Sequence, residues 1–216
     1  MIDAISHMRA LRESSLLTTW QRRAYLPVFV MVRPEKVIRV LNQAEVRFVL
    51  VGTHGLIGYR KEVRATKDVD LLIRSVDHEK AVVALSKAYR KLTVRETPVV
   101  TRFIDPNADV AVIDLMKPYA EHLRAAFRNS VAVGESHRIP TLEMALVLKF
   151  AAMVSPNRVY RKKLIDAGDF ITVVENNAAA INMAKLKKLG DSVYPGGGAE
   201  LVQYVEDVKA GRDIKI

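Results

Sequence analysis

The stretch that decides the fold is Val49–Ile73, which reads VLVGTHGLIGYRKEVRATKDVDLLI. It begins as an apolar strand that ends at Gly52, and it closes with a second apolar strand that carries Asp68 and Asp70. Because successive side chains of a strand point to opposite faces, residues two positions apart share one face. The two carboxylates are therefore held about 7 Å apart along one edge. Their mutual repulsion predicts a cation between them, and a divalent metal with oxygen ligands is the simplest candidate.

The turn after the first strand predicts a phosphate-binding site beside the metal site. At Gly52-Thr53 the chain leaves the strand through a glycine, where backbone N–H groups can approach a phosphate closely. An Asp-x-Asp at a strand end, or a glycine turn, is by itself more often structural than functional. The two in this order indicate phosphoryl or nucleotidyl transfer, which combines a metal with a phosphate cradle.

Asp114 is the most informative residue outside this stretch. It lies in Val110–Met116, VAVIDLM, a predicted strand that is otherwise apolar. A carboxylate in such a strand must be paired, hydrogen-bonded or bound to a metal, and a capping or edge aspartate is the alternative. Asp105 and Asp109 compete for the same role, but both lie in or beside a turn, where aspartate needs no special explanation.

The order Gly52-Thr53, then Arg64-x-Thr66-x-Asp68-Val69-Asp70, resembles the signature of the nucleotidyltransferase superfamily. Arg-x-Thr just before Asp-x-Asp is similar to the AbiEii-type branch, the toxins of abortive-infection toxin–antitoxin systems and their relatives. The resemblance covers roughly residues 35–175. It implies an α/β fold, with a nucleotidyltransferase-like mixed central sheet flanked by helices and a C-terminal helical region.

The resemblance also implies the roles of the candidate residues. Asp68 and Asp70 would hold Mg²⁺ (or Mn²⁺) on the triphosphate of an NTP. Asp114 would bind a second metal and deprotonate or position the acceptor hydroxyl. The implied nucleotide-binding residues are Gly52, Thr53, Arg64, Thr66 and Lys149.

Lys149 enters through the segment LVLKFAAMV, which matches a lysine in an apolar helix of AbiEii-like proteins. A lysine on such a helix can also simply reach the surface. Asp166 and Asp169 follow in RKKLIDAGDF, where they would orient basic residues or shape the acceptor pocket. Two departures from the family concern substrate choice. Thr53 stands at a position usually held by glycine or serine, and Arg60-Lys61 replaces a frequent His-Gly.

Composition limits the partners and the compartment. The chain has 216 residues, a net charge of +10 and no cysteine, and half of its residues are hydrophobic. The positive charge predicts an anionic partner, although it is spread over the chain and fits a generally basic protein equally well. The absence of cysteine excludes disulfides and thiolate metal sites, and it fits a reducing cytoplasm.

Periodicity and turn signals predict three segments: an N-terminal extension with some helix (1–33), the nucleotidyltransferase core (34–118) and a C-terminal helical region (119–216). The apolar run 24–32, broken by Pro27, is too short to span a membrane, which takes about 20 apolar residues. Strands are predicted at 46–51 and 110–116, and residues 69–73 finish the strand that carries Asp68. One or two short strands, interrupted by Pro98, are predicted over 92–104. Helices are predicted at 14–20, 34–44, 76–89, 119–127, 142–153, 158–174, 178–189 and 199–209.

The predicted function is therefore metal-dependent transfer of an NMP from an NTP to an acceptor hydroxyl, with release of pyrophosphate. The acceptor is predicted to be tRNA or another RNA, or else a protein or a small molecule, and an antitoxin is a possible partner. The alternative is a catalytically inactive nucleotidyltransferase-fold module that binds nucleic acid or a partner protein. A phosphohydrolase using the same aspartates is a third possibility.

Overall fold

The computed structural model of the chain describes residues 3–25 and 29–215. Part of the predicted apolar run, residues 26–28, lies outside the described residues. The chain divides into two compact units. The first comprises Met1–Gly58, Glu62–Tyr119 and Val131–Ile139, and the second comprises Tyr59–Lys61, Ala120–Ser130 and Pro140–Ile216. The predicted boundaries at 33/34 and 118/119 stay predictions.

A five-stranded mixed sheet forms the centre of the first unit. Its strands are β1 (Phe48–Leu50), β2 (Val69–Ile73), β3 (Thr93–Glu96), β4 (Val100–Asp105) and β5 (Val110–Met116). They lie in the order β1-β2-β5-β4-β3, with β2 and β5 parallel and the other neighbours antiparallel. The mixed sheet agrees with the predicted fold class. Strand β5 has the predicted bounds, and β2 ends at Ile73 as predicted but begins after Asp68.

The parallel pair β2–β5 follows from the chain between them. Both strands are apolar on their buried positions, with Leu71 and Leu115 fully buried. Parallel strands cannot be joined by a tight turn and need a long connection. That connection consists of α4 (His78–Ala88) and the β3–β4 hairpin. The resulting register places Asp70 directly opposite Asp114.

The other elements of the first unit differ more from the prediction. Helix α1 (Ala4–Tyr25) is three times longer than the short helix expected at 14–20. It is followed by α2 (Pro34–Gln43) and by a single helical turn, α3 (Gly52–Gly55). A hairpin of β6 (Ser130–Val133) and β7 (His137–Pro140) was not predicted, because strands of four residues are too short to show a period.

The second unit is helical, as predicted. Its helices are α5 (Glu121–Arg128), α6 (Leu142–Val154), α7 (Tyr160–Asn177), α8 (Met183–Gly190) and α9 (Gly197–Lys209). Helix α6 begins at an N-cap, since the side chain of Thr141 accepts a hydrogen bond from the N–H of Met144. Phe150 and Phe170 are fully buried in its core. Among the described residues, no helix is both long enough and apolar enough to cross a membrane.

Candidate functional site

Three carboxylates meet on the neighbouring inner strands β2 and β5 of the central sheet. Asp68 was predicted to lie in the second strand but directly precedes β2, and Asp70 is the second residue of that strand. Asp114 lies opposite Asp70 on β5 because the two strands are parallel and in register. One oxygen of each carboxylate lies within 4.8 Å of one oxygen of the other two. All three side chains are half-buried, so an ion could reach them from solvent.

This donor set fits a divalent cation. Carboxylate oxygens are the ligands that Mg²⁺ and Mn²⁺ prefer. A cation bound by all three carboxylates would offset the repulsion between them. Asp68, Asp70 and Asp114 are the residues that would hold it. Among the described residues, they form the group of acidic side chains that is close enough together to hold a metal ion.

Gly52 is held against Asp70. Its backbone is left-handed, with φ +60°, and a Cβ at this position would lie 2.0 Å from Oδ2 of Asp70. The neighbouring N–H of Val51 donates to the carbonyl oxygen of Asp70 at 3.0 Å. A side chain at position 52 would therefore displace the carboxylate, which explains why the chain leaves β1 through a glycine.

The Arg-x-Thr-x-Asp spacing places two side chains on neighbouring parts of the site. Arg64 donates from Nη2 to the hydroxyl oxygen of Thr53 at 2.7 Å. The hydroxyl of Thr66 donates to Oδ1 of Asp68 at 3.2 Å. The structure thus joins Arg64 to the glycine turn and Thr66 to the acidic cluster.

Arg102 is a neighbour of the cluster that sequence reasoning missed. It lies opposite Asp114 in the β4–β5 register, and its Nε is 3.5 Å from Oδ2 of that carboxylate. The guanidinium offsets part of the negative charge of the three aspartates. Its signal in the sequence is a single arginine within the apolar strand VTRFID.

The competing aspartates have other roles. Asp105 is fully buried, and it accepts the N–H groups of Val30 at 2.7 Å and of Asn107 at 3.1 Å. Asp105 therefore holds the backbone at Val30 and Asn107 in place. Asp109 lies in the turn before β5 with φ +47°, a conformation that aspartate tolerates better than most residues.

Lys149 lies in the second unit, where it is buried on α6. Its ammonium group donates to Asp166 at 2.9 Å and to Asp169 at 2.7 Å. The same two carboxylates also pair with Arg158 and Arg60, respectively. These contacts agree with the interpretation that Asp166 and Asp169 orient basic residues. The phosphate contact of Lys149 stays a prediction.

His54 adds no charge to the glycine turn at neutral pH. It follows Thr53 directly and is buried. Burial, with smaller contributions from His7 and Arg64, lowers the pKa of His54 to about 3, so its ring is neutral. The acidic cluster and the guanidinium groups are therefore the charges that set the electrostatics here.

Comparison with known proteins finds similarity in structure only. No protein-family model and no curated protein sequence matches the chain. JHP933 from Helicobacter pylori is similar in structure, with a TM-score of 0.51 and 15% identity over 82% of this chain and 90% of that one.

Two further structures match slightly less well. An antigenic nucleotidyltransferase-like protein from Paracoccidioides brasiliensis has a TM-score of 0.49 and 17% identity, over 84% of this chain and 92% of that one. ANT(2")-Ia in complex with adenylyl-2"-tobramycin has a TM-score of 0.48 and 15% identity, over 78% and 94%.

At these identities the similarity concerns the fold alone. Together with the likeness in fold to JHP933, the mixed sheet and the helical second unit confirm the predicted α/β class. That class has a mixed central sheet flanked by helices and a C-terminal helical region.

Proposed function

We propose that this chain is a metal-dependent nucleotidyltransferase that moves an NMP from an NTP to an acceptor hydroxyl and releases pyrophosphate. One observation carries the proposal: Asp68, Asp70 and Asp114 converge within 4.8 Å beside the Gly52 turn. A fold kept only for binding has no need of three like charges in one cleft. The paired parallel strands that hold them make the cluster a built feature of the sheet.

In the reaction, the acceptor oxygen attacks the α-phosphorus, and a new O–P bond forms. The bond from that phosphorus to the bridging oxygen of the β-phosphate breaks, and its electron pair leaves with pyrophosphate. Mg²⁺ or Mn²⁺, when bound, would neutralise the phosphates and stabilise the attacking and leaving oxygens. Asp68 and Asp70 would hold the ion on the triphosphate, and Asp114 would hold a second ion and receive or position the proton of the acceptor hydroxyl.

The neighbouring groups would bind the nucleotide. The backbone at Gly52 and the hydroxyl of Thr53 would contact phosphate oxygens, and Arg64, already bonded to Thr53, would lie where it can neutralise developing charge. Thr66 would keep Asp68 in its orientation through the hydrogen bond between them. Lys149 is proposed as a further phosphate contact.

RNA, and tRNA in particular, is the acceptor that we propose, in an AbiEii-type toxin of the cytoplasm with an antitoxin partner. The supporting features are the net charge of +10 and the Arg-x-Thr-x-Asp spacing of that branch. Binding to RNA phosphates releases counterions, so transfer to RNA should fall steeply as salt rises. Transfer to a protein or to a small molecule should depend on salt much less.

The test is label transfer. The protein is incubated with Mg²⁺, each α-labelled NTP, and cellular RNA or protein extract. The wild type is expected to label one fraction with one preferred nucleotide. The double variant Asp68→Asn, Asp70→Asn is expected to lose at least 100-fold in rate, because the positions that would bind the metal no longer carry charge. Asp109→Asn is the matched control, since Asp109 lies in a surface turn outside the cluster.

Other outcomes would replace the proposal. If no pair of Mg²⁺ and NTP raises the melting temperature of the wild type and no fraction is labelled, the chain is a binding module. Release of inorganic phosphate instead of pyrophosphate would identify a phosphohydrolase. Equal labelling by the wild type and the double variant would exclude Asp68 and Asp70 from the reaction.

A further inference from the structure

The inner side of helix α1 carries a row of polar side chains that meet the backbone of one particular segment. Ser14, Thr18 and Arg22 are four residues apart and so lie on one face of the helix. Their side chains donate to the carbonyl oxygens of Arg64 at 2.7 Å, Thr66 at 2.9 Å and Lys67 at 2.9 Å, respectively. The three bonds run in the same order along the helix and along the segment.

Thr18 makes the most specific of these contacts. Its hydroxyl also lies 3.1 Å from the N–H of Thr66, so it can donate to and accept from the same residue. The hydroxyl proton has a second acceptor within the helix, the carbonyl oxygen of Ser14 at 2.8 Å. The hydrogen bond that the Thr66 N–H donates to Thr18 does not use the hydroxyl proton. It can therefore form whichever of the two carbonyl oxygens accepts that proton.

The segment that α1 holds is the one that orients the candidate site. Between Tyr59 and Val69 the chain forms neither helix nor strand, so no ladder of backbone hydrogen bonds fixes it. Yet this segment places Arg64 on Thr53 and Thr66 on Asp68. The row on α1 supplies the backbone partners that a neighbouring strand would otherwise provide.

Helix α1 is itself fixed by buried side chains on one face. His7, Leu11 and Ser14 are buried on its inner face, and Leu11 has no exposed surface. A side chain that bonds to a loop can position that loop only if its own helix is fixed. The buried residues at positions 7, 11 and 14 continue the same face as Thr18 and Arg22.

We infer that α1 is a positioning element of the site: Ser14, Thr18 and Arg22 hold residues 64–67 so that Arg64 and Thr66 orient the glycine turn and Asp68. The inference rests on the proposed function, because the site it serves is the proposed metal and nucleotide site. Loosening the row should leave the three carboxylates in place but lower their affinity for Mg²⁺ and slow transfer.

Point variants of the full chain test this inference. Thr18→Val keeps the shape of the side chain and removes the hydroxyl. It is expected to raise the Mg²⁺ concentration needed for half-maximal thermal stabilisation by roughly 3- to 10-fold, the range for one hydrogen bond. Amide hydrogen exchange in peptides covering residues 62–69 should become faster. Thr18→Ser, which retains the hydroxyl, should restore both values.

Thr19→Val is the matched control. Among the residues that the structure describes, the hydroxyl of Thr19 bonds only within the helix, to the carbonyl oxygen of Ser15 at 2.8 Å. It should leave the Mg²⁺ midpoint and the exchange of residues 62–69 unchanged. Equal Mg²⁺ midpoints and equal transfer rates for Thr18→Val and Thr19→Val would overturn the inference.

The wild type separates the two proposals. If the wild type responds to Mg²⁺ and NTP while Thr18→Val responds identically, the positioning role fails and the proposed function stands. If the wild type shows neither Mg²⁺ stabilisation nor transfer, the proposed function fails, and the positioning role in catalysis is overturned with it.

Discussion

At the scale of single residues, Gly52 meets two constraints at once. Its φ of +60° disfavours any L side chain, and a Cβ would lie 2.0 Å from the carboxylate of Asp70. We expect Gly52→Ala to lower the free energy of unfolding by roughly 2–4 kcal/mol and to abolish stabilisation by Mg²⁺, because Asp70 must move. Chemical denaturation with and without Mg²⁺ measures both effects.

Gly196→Ala is the control for Gly52→Ala. Gly196 has φ +86°, but a Cβ there would meet no described atom within 4 Å. It isolates the left-handed backbone, whose cost is about 1–2 kcal/mol, from the collision with Asp70. A Mg²⁺ response in Gly52→Ala as large as that in Gly196→Ala would show that the close approach to Asp70 does not matter.

Lys149 is the central cation of a buried cluster with Asp166 and Asp169. Removing one member of a buried ion pair leaves a charge without compensation, which is costly. We expect Lys149→Met to lower the free energy of unfolding by about 3 kcal/mol. The loss should not be larger, because Arg158 and Arg60 still face the two carboxylates. Urea denaturation at neutral pH measures it.

Lys162→Met is the matched control, since Lys162 is exposed on α7. It should change the free energy of unfolding by less than about 0.5 kcal/mol. If the two variants are equally stable, the cluster is not a stabilising element. NTP affinity measured on folded Lys149→Met separately tests the predicted phosphate contact.

At the scale of elements, α1 is anchored to the β6–β7 hairpin by two buried histidines. The rings of His7 and His137 lie 5.1 Å apart, and neither ring nitrogen of His7 has a hydrogen-bond partner among the described residues. Burial lowers the pKa of His7 to about 4, and burial together with a smaller effect of His7 lowers the pKa of His137 to about 4. Both rings are therefore neutral in the folded protein at pH 7.

This arrangement predicts an acid-sensitive attachment of α1. In the unfolded chain the histidines take up protons as pH falls through 6.5, whereas in the folded protein they do so only near 4. The unfolded state then binds more protons, so stability is lost between pH 6.5 and 4, by up to about 1.4 kcal/mol per pH unit for each histidine. Denaturation at several pH values measures this slope.

His7→Leu should flatten that slope by the share of one histidine, because it removes a group that titrates only on unfolding. Leu16→Ala, on the exposed side of α1, is the control and should leave the slope unchanged. A His7→Leu protein with the wild-type slope would mean that the buried pair does not govern the acid response.

At the scale of the whole molecule, charge is handled differently in the two units. In the first unit, three half-buried carboxylates meet with Arg102 beside Asp114. In the second, Lys149 and two arginines balance Asp166 and Asp169. A bound cation would offset negative charge in the acidic cluster of the first unit. In the cluster of the second unit, Lys149 and the two arginines already do so. This contrast is why the acidic cluster, and not the buried lysine cluster, is the proposed metal site.

Much of this organisation could be predicted from the sequence. The apolar runs around Asp70 and Asp114 predicted β5 with its observed bounds and β2 to within one residue, because a strand's period is local. The long helices of the second unit were predicted for the same reason. Gly52 and the Asp-x-Asp pair could be singled out because a left-handed turn and two carboxylates on one face each follow from a few neighbouring residues.

By itself, then, the sequence determined the strands, the helices and the three carboxylates as candidates. Only the tertiary structure decided that Asp70 and Asp114 face each other, that Arg102 lies beside them, and that α1 holds the segment before Asp68. These contacts join residues far apart in the chain, and local periodicity contains no information about which distant elements will pair. The register of β2 on β5 and the position of α1 arise from packing of the whole unit. Local periodicity therefore predicted only a short helix at 14–20, whereas α1 spans Ala4–Tyr25 and bonds to the segment before Asp68.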